Sequence, residues 1–224
     1  LTGKRARNYI GGTLLDVSSR NLTVLDVAAN YSTYAVGGAF SGGITYSRGL
    51  GSFSAMDDAP GLPSDFPRAQ FNKVALNASY VVPFTLGAHA FSWSTAVQAQ
   101  KSFDVLYGSE QISIGGLYSV RGFHDDSLAN DDGYFVRNDL TLRRVVGTFA
   151  GRDVLFRPYI ALDAGAVTGD VVGSPDGTLV GGAVGFNLNM GGAAVEFFTG
   201  KPLVTPDGMA KEDINTFLRL SLSF

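Results

Sequence analysis

The stretch Phe217-Leu218-Arg219-Leu220-Ser221-Leu222-Ser223-Phe224 ends the chain and alternates between two kinds of side chain. Every even-numbered position in it is apolar, whereas the odd-numbered positions after Phe217 are Arg or Ser. In an extended backbone, successive side chains point to opposite faces. This stretch therefore predicts a β-strand with one apolar face and one polar face.

The same alternation recurs along the whole chain and predicts an all-β protein. Most of the segments are longer than the about 5 to 6 residues of an average soluble strand, and they reach the about 9 to 11 residues that cross a bilayer. The end of one strand is expected before residue 11. The further strands are predicted at 21–35, 38–50, 69–83, 88–101, 134–146, 153–166, 178–190, 193–201 and 213–224.

Two of these strands separate charged residues from apolar ones over most of their length. In 153–166, Arg157 and Asp163 share one face, and the other face is almost wholly apolar. Strand 134–146 repeats this division. A Lys or Arg facing lipid at mid-bilayer costs about 2 to 4 kcal/mol, which would explain the segregation in a membrane barrel. In a soluble sandwich the polar face would be the solvent face, and that alternative stays open on the pattern alone.

The predicted connections alternate between short turns and long loops. Short turns are expected at Val36-Gly37, Thr85-Leu86-Gly87, 147–152 and Gly191-Gly192. The long loops are expected around 11–20, 51–68, 102–133, 167–177 and 202–212. Short turns on one side of the membrane and longer loops on the other are typical of outer-membrane barrels.

Composition excludes several classes of function. A net charge of −3 gives no basic footprint for nucleic acid, and with no cysteine there is no thiolate metal site. The two histidines, His89 and His124, have no metal-ligand spacing, and no Ser/His/acid set can be assembled. The sequence therefore predicts no catalytic residue, no cofactor and no metal.

The long loop 102–133 contains the most informative motif, Tyr118-Ser119-Val120-Arg121-Gly122-Phe123. A later strand carries Leu162-Asp163-Ala164-Gly165, and the chain ends in Phe224. Val-Arg-Gly-Phe, the Asp-x-Gly pair and a terminal Phe together resemble the two-partner secretion transporters (the TpsB, or haemolysin-activator, family) within the BamA-like barrel superfamily. The second motif departs at Ala161, where the family has Phe.

The resemblance implies that residues 1–224 are the C-terminal nine to ten strands of a sixteen-stranded transmembrane β-barrel. The N-terminal strands and the periplasmic POTRA domains would lie outside this chain. The complete protein would export a large unfolded partner (an adhesin, a haemolysin or a contact-dependent toxin) across the bacterial outer membrane. Its other partners would be outer-membrane lipid and the barrel assembly machinery, which reads the terminal Phe224.

The resemblance also assigns roles to the motif residues. Loop 102–133 would fold back into the lumen, with Arg121 at its tip paired to Asp163, beside Gly165, on the barrel wall. A planar guanidinium suits a carboxylate, and Gly122 permits close approach of the backbone. The motif also includes Val120, and Phe123 and Tyr118 are expected to wedge the loop against the wall.

Three other functions compatible with such a barrel remain open at this point. A machine of the same superfamily would insert other barrels, and it would carry a longer series of POTRA domains. A passive porin would conduct steadily and would not need the loop motif. A barrel-embedded lipase would need a Ser/His pair, which this sequence does not supply.

Overall fold

The computed structural model describes residues 1–7, 9–14, 19–169 and 175–223, and nearly all of its regular structure is β-strand. In these ranges no helix is long and apolar enough to cross a membrane. The only described helical segment is the short 3-10 turn Gly108–Glu110. The strands are β1 Thr2–Ala6, β2 Tyr9–Ile10, β3 Thr13–Leu14, β4 Arg20–Ala35, β5 Gly38–Leu50, β6 Asn72–Leu86, β7 His89–Ser102, β8 Ile112–Ile114, β9 Leu128–Asn130, β10 Asp132–Phe149, β11 Arg152–Thr168, β12 Gly177–Met190, β13 Ala193–Val204 and β14 Asn215–Leu222.

Ten of these strands form one antiparallel sheet in the order β1-β4-β5-β6-β7-β10-β11-β12-β13-β14. Apart from two small hairpins, β2–β3 and β8–β9, each strand pairs with the next one along the chain. The long strands and the antiparallel meander confirm the all-β prediction. Short turns connect β4 to β5, β6 to β7, β10 to β11 and β12 to β13. All of these turns lie at the same end of the strands, and the long loops lie at the opposite end.

The predicted limits of β6, 69–83, were wrong at both ends, because the strand runs from Asn72 to Leu86. Residues 69–71 are not strand, because the backbone N–H groups of Ala69 and Gln70 donate to the carboxylate of Asp58. At the other end the strand runs past Pro83 to Leu86. Proline is tolerated there because the pairing of β6 with β5 ends at Val81, so no strand on that side needs its missing N–H.

The two faces of the sheet differ sharply. Paired residues of neighbouring strands share a face, so Asp163 lies on the same face as Arg137 and Gly181. We call this the inner face, because the segment 103–131 packs against it, and we call the opposite side the outer face. Large apolar side chains line the outer face and are exposed, including Leu25, Val27, Ile44, Leu76, Ile160, Leu162, Val184, Leu218 and Leu220.

This distribution is the reverse of that in a water-soluble sheet. Ile160 and Leu162 are 59% and 55% exposed, whereas Asp163, the next residue along the strand, is 0% exposed. A continuous apolar surface of this extent would cause aggregation in water, but it is the surface that lipid requires. The burial pattern therefore favours a membrane wall over the soluble sandwich.

The segment 103–131, which we call the inner loop, has its own small fold. It opens with the 3-10 turn, forms the hairpin β8–β9, and carries the motif between those two strands. Five of its apolar side chains join three from the wall in one buried cluster: Ile112, Ile114, Val120, Phe123, Leu128, Phe135, Val167 and Leu179. This cluster fixes the loop to β10, β11 and β12.

Candidate functional site

The structure brings Arg121 and Asp163 together as a buried, two-pronged ion pair. Nε of Arg121 donates to Oδ2 of Asp163 at 2.6 Å, and one terminal nitrogen donates to Oδ1 at 2.8 Å. The backbone N–H of Arg121 also donates to Oδ2, at 3.1 Å. Arg121 is 4% exposed and Asp163 is 0% exposed. The parallel pair of N–H···O bonds fixes both the position and the rotation of the loop tip.

Two charged residues of β10 complete the site, which the sequence prediction had limited to one pair. The other terminal nitrogen of Arg121, Nη1, lies 2.7 Å from Oδ1 of Asp139. Nε of Arg137 lies 3.9 Å from Oδ2 of Asp163, the oxygen that also accepts from Nε of Arg121. The four groups carry two positive and two negative charges, so the cluster is neutral as a whole. Neutrality matters because an unmatched charge would be expensive at this depth.

An aromatic ring supports the guanidinium from the wall. The carbon at the centre of the Arg121 guanidinium lies 5.7 Å from the centroid of the Tyr159 ring, within the range of a cation–π contact. Burial lowers the pKa of Arg121. Hydrogen bonds and attraction from Asp163, and then from Asp139, outweigh burial and raise that pKa above its ordinary value. Arg121 therefore remains charged at any pH at which the protein is folded.

Glycines let the backbone of the motif lie directly on the wall. Gly122 has φ +104°, and a Cβ on it would come within 2.6 Å of the backbone of Lys201. On the wall, a Cβ on Gly181 would come within 1.7 Å of the carbonyl oxygen of Arg121. The same loop backbone lies 3.0 Å from the Cβ position of Gly200. Contact this close requires that at least one of the two residues in each pair has no side chain.

The other predicted motif residues fall into two groups. Val120 and Phe123 are buried in the loop cluster, at 0% and 3% exposure. Gly165 lies under the loop, where a Cβ would stand 3.3 Å from Cγ2 of Ile114. Tyr118 is 74% exposed, so the expectation that it wedges the loop against the wall was wrong. Phe123 already fills the apolar contact, and the glycines on either side of the hairpin tip turn Tyr118 away from it.

Two residues near the start of the last strand hold the segment that follows the motif. Asn215 of β14 donates from Nδ2 to the carbonyl oxygen of Gly122 at 2.6 Å. Glu212, just before β14, accepts three backbone N–H groups, from His124 at 2.6 Å, Asp126 at 3.0 Å and Asp125 at 3.2 Å. Three consecutive N–H groups around one carboxylate form an anion-binding nest.

Sequence reasoning missed Asp139, Glu212 and Asn215. Alternation already placed Asp139 on the polar face of its strand, but no pattern in the sequence indicated that it would pair with Arg121. Glu212 and Asn215 lie in and beside a polar loop with no periodicity to interpret. Phe224, predicted as the assembly signal, lies outside the described residues, and its role stays a prediction.

Comparison with known proteins gives consistent matches over this chain. The family model of the haemolysin secretion/activation proteins ShlB/FhaC/HecB matches residues 1–188. The outer membrane transporter CdiB of Escherichia coli is 35% identical over 221 residues, which is 97% of this chain and 36% of that protein. The hemolysin transporter protein HpmB of Proteus mirabilis is 29% identical over 170 residues, 75% of this chain and 29% of that protein. The matched part of the chain thus spans 36% and 29% of the length of these two relatives.

Solved structures match over the same extent. CdiB from Escherichia coli superposes with a TM-score of 0.88 at 34% identity, covering 97% of this chain and 40% of that one. CdiB from Acinetobacter baumannii gives a TM-score of 0.80 at 23% identity, which supports the fold. The ten-stranded sheet therefore corresponds to a continuous part of these structures.

Proposed function

The chain belongs to the haemolysin secretion/activation family, and from this premise we propose that the protein containing it exports a partner polypeptide through its barrel. The predictions of a two-partner secretion family, a β-barrel segment and a bacterial outer-membrane location are confirmed by this membership. The sheet's inner face is then the lumen wall and its outer face meets lipid. The cargo would be an adhesin, a haemolysin or a contact-dependent toxin in unfolded form.

The observation that carries this proposal is the charge cluster that seats the loop tip. A passive pore has no need of a loop seated on the wall by a buried ion pair whose charges are balanced by two further, half-buried charges. A loop seated in this way can close a path when docked and open it when displaced. We propose that Arg121 and Asp163 form the latch of such a gate, with Asp139 and Arg137 balancing its charge.

The latch is tested by removing each partner. Arg121→Ala leaves the buried Asp163 with only the more distant guanidinium of Arg137, and Asp163→Ala leaves Arg121 with Asp139 alone. Breaking a buried pair in this way costs about 3 to 5 kcal/mol, and less where water enters. We expect export to fall at least tenfold in both variants while the amount of folded barrel stays near that of the parent. The measurement is the amount of partner protein secreted into the medium, divided by the amount of folded barrel in the membrane. The folded barrel is recognised by its shift in gel mobility on heating.

A charge swap and a matched control sharpen the test. Arg121→Asp with Asp163→Arg should restore export only in part, because Asp139 would then face the new acid and Arg137 the new base. Arg143→Ala removes an exposed arginine from the same face of β10 and should leave export unchanged. Normal export by both single variants would contradict the proposal that Arg121 and Asp163 form a latch.

The remaining partners are part of the same proposal. Outer-membrane lipid would cover the apolar outer face, and the barrel assembly machinery would recognise the C-terminal strand with Phe224. Export of this kind needs no catalytic residue, so we propose a transporter without enzymatic activity. If the protein instead inserted other barrels, the latch variants would deplete other outer-membrane barrels while export of the partner continued.

A further inference from the structure

A second buried charge in the inner loop lies away from the latch. Glu110 lies in the 3-10 turn near the start of the loop, and its side chain is only 1% exposed. Its Oε1 accepts from Nζ of Lys4 at 2.6 Å, and its Oε2 lies 3.1 Å from Nζ of Lys73. Its backbone carbonyl accepts from Lys73 at 2.6 Å and from Gln100 at 3.1 Å.

The contacts of Glu110 join strands that are not neighbours in the sheet. Lys4 lies in β1, the first strand, and Lys73 lies in β6, with β4 and β5 between them. At its tip the loop reaches β14, the last strand of the described sheet, through Asn215 and Gly122. The loop is therefore attached to both borders of the ten-stranded sheet, across its inner face.

Between the two attachments lies a segment suited to bending. Gly115 and Gly116 have φ values of +99° and +112°, a region that other residues rarely adopt. They stand between β8, which follows Glu110, and the motif residues. A displaced tip can therefore rotate at these glycines while the start of the loop keeps its place.

We propose that Glu110 is a second, independent anchor of the inner loop, a positioning residue that holds the loop's base to β1 and β6 when the latch at Arg121 opens. The role of the anchor during opening rests on the proposed gate. The anchoring of the loop's base rests only on the contacts of Glu110. An opened loop would then swing from Glu110 as a tethered flap, so that it can close again on the same seat.

Two spin labels in the membrane-embedded, full-length protein test this proposal. This chain contains no cysteine, so single cysteines can be placed at Ser109, beside the anchor, and at Tyr118, at the tip; both sites are exposed. In Glu110→Gln we expect the mobile fraction of the Ser109 label to rise at least twofold, with the Tyr118 label unchanged. In Arg121→Ala we expect the reverse. Asp207→Asn, which removes an exposed carboxylate from another loop, should change neither label.

Either of two results would overturn the second anchor: an unchanged Ser109 label in Glu110→Gln, or equal mobilisation of both labels by that substitution. Should Glu110→Gln assemble poorly, Lys4→Met serves instead. It removes the contact to β1, leaves Lys73 to neutralise Glu110, and should give a smaller rise at Ser109 alone. The label readouts do not involve export. A latch variant that exports normally would refute the gate and leave the anchor in place.

Discussion

At the scale of single residues, the contact that depends most on the absence of a side chain is that of Gly181 with the motif. A Cβ there would stand 1.7 Å from the carbonyl oxygen of Arg121, so Gly181→Ala must push the loop tip off the wall. Overpacking of this kind costs about 1 to 3 kcal/mol. We expect a cysteine placed at the buried Ser119 to react with a small thiol reagent roughly tenfold faster in this variant.

The neighbouring glycine provides the control for this substitution. Gly182 lies on the outer face, where the nearest atom to a Cβ would be in the flexible side chain of Leu203, at 3.3 Å, and the nearest backbone atom would be at 3.8 Å. Gly182→Ala should therefore leave the Ser119 thiol protected. If the two alanine variants react at the same rate, the close seat of the tip on Gly181 does not hold the loop.

How far the sequence leads also differs from residue to residue. Alternation placed Asp163 on the polar face, and the family motif paired it with Arg121, because both signals are local strings of residues. Asp139 and Glu110 meet their partners through a loop whose path is set by the apolar cluster around Ile114. No local pattern encodes that path, so these contacts required the structure. The prediction that Tyr118 contacts the wall was wrong for the same reason, because the direction of this side chain depends on the path of the loop.

At the scale of elements, the loop before β14 holds the inner loop through one carboxylate. Glu212→Ala would leave the N–H groups of residues 124–126 to water. Because the site is partly exposed, the loss should be modest, about 1 kcal/mol. We expect the amides of 124–126 to exchange with solvent roughly fivefold faster, measured by hydrogen–deuterium exchange and mass spectrometry. The neighbouring Asp213→Ala is the control, and equal exchange in the two variants would argue against the nest.

Element boundaries show where strand patterns stop being informative. The alternation around β6 was correctly recognised, yet its limits moved because Asp58 captured the amides at one end and Pro83 was tolerated at the other. Both effects come from partners rather than from the strand itself. By contrast, β5 was predicted with its observed bounds, because it begins at a turn glycine and its pairing with β4 runs the whole length.

At the scale of the whole molecule, the middle of the sheet keeps its charges on the inner face and large apolar side chains on the outer face, and this arrangement can be tested one face at a time. Ile160 on β11 points outward at mid-strand and is 59% exposed. Arg at this position should destabilise the barrel by about 2 to 4 kcal/mol, because a guanidinium would face the hydrocarbon. We expect a lower unfolding midpoint on unboiled gels and less barrel in the membrane.

Thr141→Arg is the matched substitution on the inner face. Thr141 pairs with Tyr159, the residue before Ile160, so the two arginines would stand at nearly the same depth in the membrane. The inner face already carries Arg137 and Arg143 on the same strand, and water can reach a guanidinium there. The inner variant should therefore assemble like the parent. Equal losses in both variants would mean that the outer face does not meet lipid at the depth of Ile160.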